Sequence, residues 1–352
     1  MNRFDYRRPA SVAEAIADAA ADGATYLGAG TNLLDLMKGG IARPVRLVDL
    51  TRLPGLDGIE TLANGDVRIG ALVRNATLAC DPAFAAAFPA VAEALLSGAS
   101  PQLRNAATVG GNLLQRTRCP YFYDTAAACN RREPDTGCDA IGGDNRLHAV
   151  LGWSDRCIAT HPSDFCVPLV ALDAIVEIEG VDGRRELPLA DLHRLPGDTP
   201  ADETVLAPGD LIVAVRLPAA ARAFAAHQRY IKVRERTSYA FAIVSAAAAL
   251  DVADGRIRSA RLAFGGVAAR PWRAVEAEAL LQGQTPDRAT FERAAEAALA
   301  DARPSGDNAF KIDLARRIAV RALLRAAAGT PDRLPPLPAS PFAAAAGEIH
   351  HG

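Results

Sequence analysis

Four of the six cysteines in this 352-residue chain, Cys119, Cys129, Cys138 and Cys157, crowd into one polar stretch. Thiolates are soft ligands, and four of them match the ligand number of a structural zinc ion or a [4Fe–4S] cluster. Nine, eight and eighteen residues separate them in turn. None forms a C-x-x-C pair, so zinc-ribbon and thioredoxin spacings do not apply. Spacing alone leaves free thiols and a metal centre equally open. The surrounding segment favours the metal. From 116 to 160 hydrophobic periodicity fails, with Pro120, Pro134 and Gly137 interrupting the chain. A stretch that long without secondary structure needs a tether inside a compact domain, and a metal centre supplies one. Cys166 lies in an apolar run and reads as core. Cys80, at a helix entry, reads as structural.

A second chemistry is offered by glycines. Leu27-Gly28-Ala29-Gly30-Thr31-Asn32 falls between a predicted strand and a predicted helix. Backbone N–H groups at such a turn can cradle a diphosphate. The Rossmann fingerprint requires a third glycine three residues on, where Leu33 stands, and no Walker lysine is present. An isolated G-x-G is more often a plain turn. Thr108-Val109-Gly110-Gly111-Asn112 changes that balance, because two such elements suit a dinucleotide gripped from both sides. Asp164, in His161-Pro162-Ser163-Asp164, is either a ligand for a ribose or ribityl hydroxyl or a helix N-cap, and spacing does not separate these readings. Lys232 lies inside a predicted strand, where the plain reading is a solvated edge charge. No Ser/His/Asp triad signature and no H-E-x-x-H motif occurs.

These residues need a scaffold. The first part reads as α/β. A capping box, Ser11 to Glu14, opens a helix with Val12, Ile16, Ala19 and Ala20 on its apolar face. A strand over 24–27, a helix over 31–38 capped by Thr31 and ended by Gly39, and a strand over 45–50 follow. The middle is mixed: a strand over 67–72, an Ala-rich helix over 82–96, a tight turn at Gly110-Gly111, an apolar run over 169–178, a hairpin at Asp182-Gly183 and a strand over 211–217. Strands over 230–233, 241–252 and 256–267 come next, the last two joined at Asp254-Gly255. Helices over 271–281, 286–302 and 308–328 close the chain. Arg316, Arg317, Arg321 and Arg325 form one solvated face of the last. The proline-rich tail from Thr330 reads as extended and mobile.

The expectation is therefore an α+β fold. A small α/β subdomain spans 1–58. A mixed α+β subdomain spans 59–222 and carries the cysteine loop, 116–160, as an insert. A C-terminal antiparallel sheet with helices spans 223–329, before the tail at 330–352. Thirty-nine basic residues against 41 acidic ones give a net charge of −2, so no basic excess favours nucleic acid or an anionic membrane. No apolar run is long enough to span a bilayer. The N-terminus lacks a signal core, which predicts a cytoplasmic chain unless a partner exports it.

Together these segments resemble the FAD-binding subunit of molybdenum hydroxylases, the xanthine dehydrogenase and carbon monoxide dehydrogenase group, to about Ala328. The resemblance is carried by residues 26–38, 69–75, 102–113, 115–124, 159–164 and 230–234. It implies FAD. Tyr26, Leu27, Gly28, Ala29, Gly30, Thr31, Asn32, Leu33 and Leu34 would wrap the diphosphate, with Thr108, Gly111 and Asn112 gripping it from the other side. Asp164 would bind the ribityl chain, and Ile212 and Lys232 would line the isoalloxazine end. In most members the Gly-Gly-Asn element runs almost directly into Ser-Asp, whereas here about fifty residues intervene. That insert is similar to the aldehyde oxidoreductase branch, whose FAD subunit carries an extra [4Fe–4S] cluster. Cys119, Cys129, Cys138 and Cys157 would ligate it, with Arg116, Arg118 and residues 119–123 packed around it.

The implied role is electron transfer. A molybdopterin-binding large subunit oxidises an aldehyde, a [2Fe–2S] small subunit relays the electrons, and FAD hands them to an external acceptor. A heterotrimer and co-export to the periplasm go with that resemblance. Two rivals stand beside it. One is a stand-alone flavin-dependent reductase of the same fold, for which no acid–base pair is evident. The other is a Zn-stapled, non-enzymatic interaction protein.

Overall fold

The computed structural model describes residues 1–331. Its N-terminal sheet is parallel throughout, with β1 (Asp5–Arg7), β2 (Ala24–Leu27) and β3 (Arg46–Asp49) in the order β1-β3-β2. Helix Val12–Ala19 is capped as expected, since Ser11 Oγ accepts from Glu14 N at 3.2 Å. The return bond reaches Ala10 N instead of the cap residue. The second helix, Leu33–Lys38, starts later than predicted. Gly30 takes a left-handed φ of 75°, so the turn runs on to Asn32, which occupies the cap position in place of Thr31.

The second sheet is antiparallel. β4 (Ile59–Thr61), β5 (Val67–Gly70), β6 (Ile175–Gly180), β7 (Gly183–Pro188) and β8 (Leu211–Leu217) stand in the order β4-β5-β8-β6-β7. The hairpin at Asp182-Gly183 is present, with Gly180 paired to Gly183. The helix predicted over 82–96 is two helices, Pro82–Ala87 and Pro89–Ser97. Pro89 has no N–H to donate and bars Phe88 from helical backbone angles. Gly110-Gly111 is no tight turn but part of a short helix, Val109–Leu113, capped by Thr108 Oγ1. Cys80 ends helix Asn75–Cys80 and is exposed, so it packs nothing, whereas Cys166 is buried. Ile69, Phe88, Leu169, Val176, Ile212 and Val215 belong to the core beside this sheet. Each such side chain contributes about 1.5–3 kcal/mol on burial.

The third sheet is also antiparallel, with β9 (Gln228–Val233), β10 (Val244–Ala253), β11 (Arg256–Gly265) and β12 (Trp272–Arg273) in the order β12-β11-β10-β9. Asp254 and Gly255 both have positive φ, 52° and 71°, as a two-residue hairpin turn of the primed type requires. The pairing of Trp272 with Phe264 delays the next helix to Val275–Leu281. Helices Arg288–Ala298 and Phe310–Ala327 complete a second core with Phe264, Phe291 and Leu323. The four arginines of the last helix are exposed. Thr330 is held, donating its N–H to Ala226 O at 2.7 Å. The predicted tail from 332 onward lies outside the described residues.

Candidate functional site

The end of β2 delivers Gly28 to Asn32 to the edge of a cleft. Their five N–H groups donate to no acceptor among the described residues. The short helix after Thr108 meets this turn. A Cβ on Gly28 would lie 3.1 Å from Thr108 Oγ1, and one on Gly111 would lie 3.0 Å from the same atom. The two glycine elements therefore face one small gap that side chains would fill. Asn32 Oδ1 accepts from Arg116 N at 2.8 Å, while Asn32 Nδ2 is buried without a partner. A free donor, bare N–H groups and a side-chain-free gap fit an anionic diphosphate. The cleft measures about 720 Å³, and its lining includes Thr31, Asn32, Gly111, Asn112, Asp164 and Lys232. That volume suits a cofactor.

Asp164 is not a helix cap. Helix Cys166–Ala171 has no side-chain cap, and Ser163 Oγ accepts from Cys166 N instead. The Asp164 carboxylate accepts from Tyr230 Oη at 2.5 Å and from Lys232 Nζ at 2.7 Å. Burial and the neighbouring Asp164 drive the Tyr230 hydroxyl well above its usual range, so it stays a donor. The solvated reading of Lys232 is corrected. β9 is an edge strand, yet the Lys232 side chain is only 4% exposed. It turns inward against helix Pro89–Ser97, where it also donates to Ser97 O.

Other predicted residues stand elsewhere. Ile212 is buried in the core on β8, which is flanked by β5 and β6, and it does not line the cleft. Tyr26 Oη donates to Gly209 O at 2.7 Å, away from the turn. Leu34 packs over Gly30. Leu27, Ala29 and Leu33 likewise put no side chain on the cleft. Sequence reasoning missed Arg104, Tyr239 and Phe241 on the cleft wall, where the Arg118 guanidinium stacks 4.8 Å from the Phe241 ring. Local sequence carries no pattern for them, because Arg104 comes from helix Pro101–Ala106 and Tyr239 and Phe241 from the distant loop between β9 and β10.

All four clustered cysteines line one small cavity of about 10 Å³. Phe122, Asn130, Arg131 and Arg156 complete its wall. Cys129 and Cys157 are buried. Ala159 N donates to Cys157 Sγ at 3.5 Å. The buried Arg131 guanidinium pairs with Glu203 at 3.1 Å. A single zinc ion holds its four sulfurs about 3.8 Å apart. No three of these sulfurs come within 4.8 Å of one another among the described residues, so they stand wider than a single zinc ion requires. Burial drives the Cys119 thiol up to about 12, and metal binding would displace that proton.

The basic residues at this cavity are not the predicted ones. Arg118 lines the cleft. Arg116 pairs with Glu203 at 2.6 Å and stacks on Phe122, 4.6 Å from the ring centroid. Arg131 and Arg156 take their place. The loop is also tethered without a metal, since Arg132 donates to the carbonyls of Tyr121, Phe122 and Asp124. Thr117 and Cys119 line both the cleft and the cysteine cavity, so the two share a wall.

One nitrogen each of His161 and His193 lies with Cys166 Sγ inside a 4.8 Å group. His161 Nδ1 accepts from Ser163 N at 3.3 Å, which leaves the proton on Nε2 and bars that atom from ligation. The group is read as packing.

Residues 2–220 match the family described as the FAD binding domain in molybdopterin dehydrogenase. The chain belongs to that family. Residues 229–326 match the CO dehydrogenase flavoprotein C-terminal domain. Among relatives, the aldehyde oxidoreductase FAD-binding subunit PaoB of Escherichia coli is 48% identical over 93% of this chain and 99% of its own length. The carbon monoxide dehydrogenase medium chain of Hydrogenophaga pseudoflava is 28% identical over 91% of this chain and 96% of its own. The solved structure of reconstituted CO dehydrogenase from Oligotropha carboxidovorans superposes with a TM-score of 0.73 at 26% identity, covering 94% of this chain and 99% of that one. The fold is the α+β fold of this family, and the chain is an FAD-binding oxidoreductase subunit of the molybdenum hydroxylase type. No helix among the described residues is long and apolar enough to cross a membrane.

Proposed function

We propose that the chain is the FAD- and [4Fe–4S]-carrying electron-transfer subunit of a molybdenum-dependent aldehyde oxidoreductase. It stands between the [2Fe–2S] clusters of a small subunit and an external acceptor, while a molybdopterin-binding large subunit oxidises the aldehyde. The observation that carries this reading is the four-cysteine cavity sharing Thr117 and Cys119 with the glycine-walled cleft. The name of the 48% identical relative supports the substrate class. Export with a signal-bearing partner to the periplasm belongs to the same proposal.

FAD would supply a centre able to take one or two electrons. The chain's own residues bind and orient. Gly28 to Asn32 offer N–H donors to the diphosphate, and Gly28 and Gly111 keep its space open. Asp164, fixed by Tyr230 and Lys232, presents a carboxylate of set position to hydroxyl groups. Arg131 on the cavity wall and the Ala159 N–H would offset the negative charge of a thiolate cluster. The test is anaerobic mixing of the assembled complex with an aldehyde. Bleaching of the flavin absorbance, reversed by an added acceptor, is the expected result. Aldehyde turnover with an artificial dye while the flavin stays oxidised overturns the proposal.

A further inference from the structure

His148 adjoins the shared wall at Cys119. It lines the cleft beside Cys119, and its Nε2 stands 3.2 Å from Cys119 Sγ. Its Nδ1 is buried and unpartnered. A ligating Cys119 carries no proton, so the hydrogen in that contact belongs to His148 Nε2, and the contact is an N–H···S bond to a ligand sulfur.

The residue is held there by an unusual amount of buried polar structure. Lys311, on the last helix, is fully buried. It has no carboxylate partner among the described residues. Its ammonium instead donates to Leu147 O at 2.9 Å, His148 O at 2.8 Å and Gly266 O at 2.6 Å. Asn308 Nδ2 donates to His148 O at 3.1 Å, and His148 N donates to Asn145 O at 3.0 Å. A buried charge placed on backbone carbonyls is costly to keep, and what this one fixes is the backbone of the segment that carries His148.

We propose that His148 is a positioning and tuning residue for the cluster. Its Nε2–H donates to Cys119 Sγ on the side facing the cleft, and Lys311 on the C-terminal helix, with Asn308 just before that helix, holds it in register. This role rests on the cluster reading proposed above. A hydrogen bond to a ligand sulfur withdraws negative charge from a cluster and favours its reduced form. His148 therefore raises the cluster's midpoint potential. The partner it acts on is the chain's own metal centre, at the sulfur nearest the flavin cleft.

The experiment is an EPR-monitored redox titration of the holoprotein, after iron, sulfide and FAD have been counted. In His148→Phe the cluster potential falls while iron, sulfide and FAD stay at their wild-type ratios. In His148→Asn, which keeps an N–H donor, part of the potential returns. A His148→Phe potential equal to wild type, or an equal fall in both variants, overturns the role. Should His148→Phe lose its iron, the native protein labelled with ¹⁵N-histidine still decides. Hyperfine coupling of a histidine nitrogen to the reduced cluster is expected, and its absence overturns the proposal. A holoprotein without iron overturns the cluster reading itself, a distinct result visible in the first count.

Discussion

Lys232→Met keeps the length of the side chain and removes its charge from beneath the cleft. Lys232 Nζ lies 2.7 Å from Asp164 Oδ2, with the two side chains 4% and 9% exposed. Breaking a buried pair by removing one partner costs about 3–5 kcal/mol, because the other charge is left unpaired. Tyr230 Oη, 2.5 Å from Asp164 Oδ1, remains as a donor, and the cleft admits water. Both place the loss at the low end, about 3 kcal/mol. A solvent-screened pair would lose only about 0–1 kcal/mol. At about 2.1 cal/mol/K of unfolding entropy per residue, each kcal/mol shifts the melting temperature of a chain this long by about 1.4 °C, so it falls by roughly 4 °C. Urea unfolding followed by circular dichroism is the assay, run at two FAD concentrations to separate cofactor linkage. The set is wild type, Lys232→Met, Asp164→Leu and the double variant. The double variant recovers most of the loss, since an apolar pair replaces an ionic one, giving an interaction energy of about 2–3 kcal/mol. A single-variant loss below about 0.5 kcal/mol, or strictly additive single losses, would refute the buried-pair argument.

Three further outcomes follow from the geometry. Gly28→Ala places a Cβ 3.1 Å from Thr108 Oγ1, so FAD affinity falls about tenfold, or about 1.4 kcal/mol, in a flavin-fluorescence titration; unchanged affinity would mean that nothing binds across that gap. Cys129→Ser loses iron and sulfide but keeps FAD, whereas Cys80→Ser, at an exposed position, keeps all three; elemental analysis against released flavin decides. Burial lowers the Lys311 ammonium from 10.5 to about 7. Between those values the unfolded chain holds the extra proton, so stability rises as pH climbs from 7 toward 10. Lys311→Met flattens that rise, as read from urea midpoints at pH 7 and pH 9, and an unaltered slope would contradict the assignment.

The parts of the fold fixed by local chemistry were legible in the sequence. Asp254-Gly255 announced its hairpin because few residues accept left-handed backbone, and 24–27 and 211–217 were found as strands by apolar runs between turn signals. The break at Phe88-Pro89 was also local, and was missed because an alanine-rich run suggested one helix. Tertiary placement was not legible. Lys232 reads as solvent-facing from its strand, and only the helix Pro89–Ser97 packed against that strand turns it inward. Ile212 sits on a strand enclosed by two neighbours, which no local pattern reveals. The four cysteines were identified by type and by the irregular chain around them. Their convergence, the arginines that reach the cavity, and the grip of Lys311 on the His148 segment depend on contacts across the chain.

The most direct test of the central claim is the absorption spectrum of the anaerobically purified protein, with iron and acid-labile sulfide counted against released FAD. Flavin bands over a broad thiolate–iron absorbance are expected, with about four irons and four sulfides per FAD. Flavin without iron would contradict the two-cofactor reading, and folded protein with neither chromophore would contradict the whole of it.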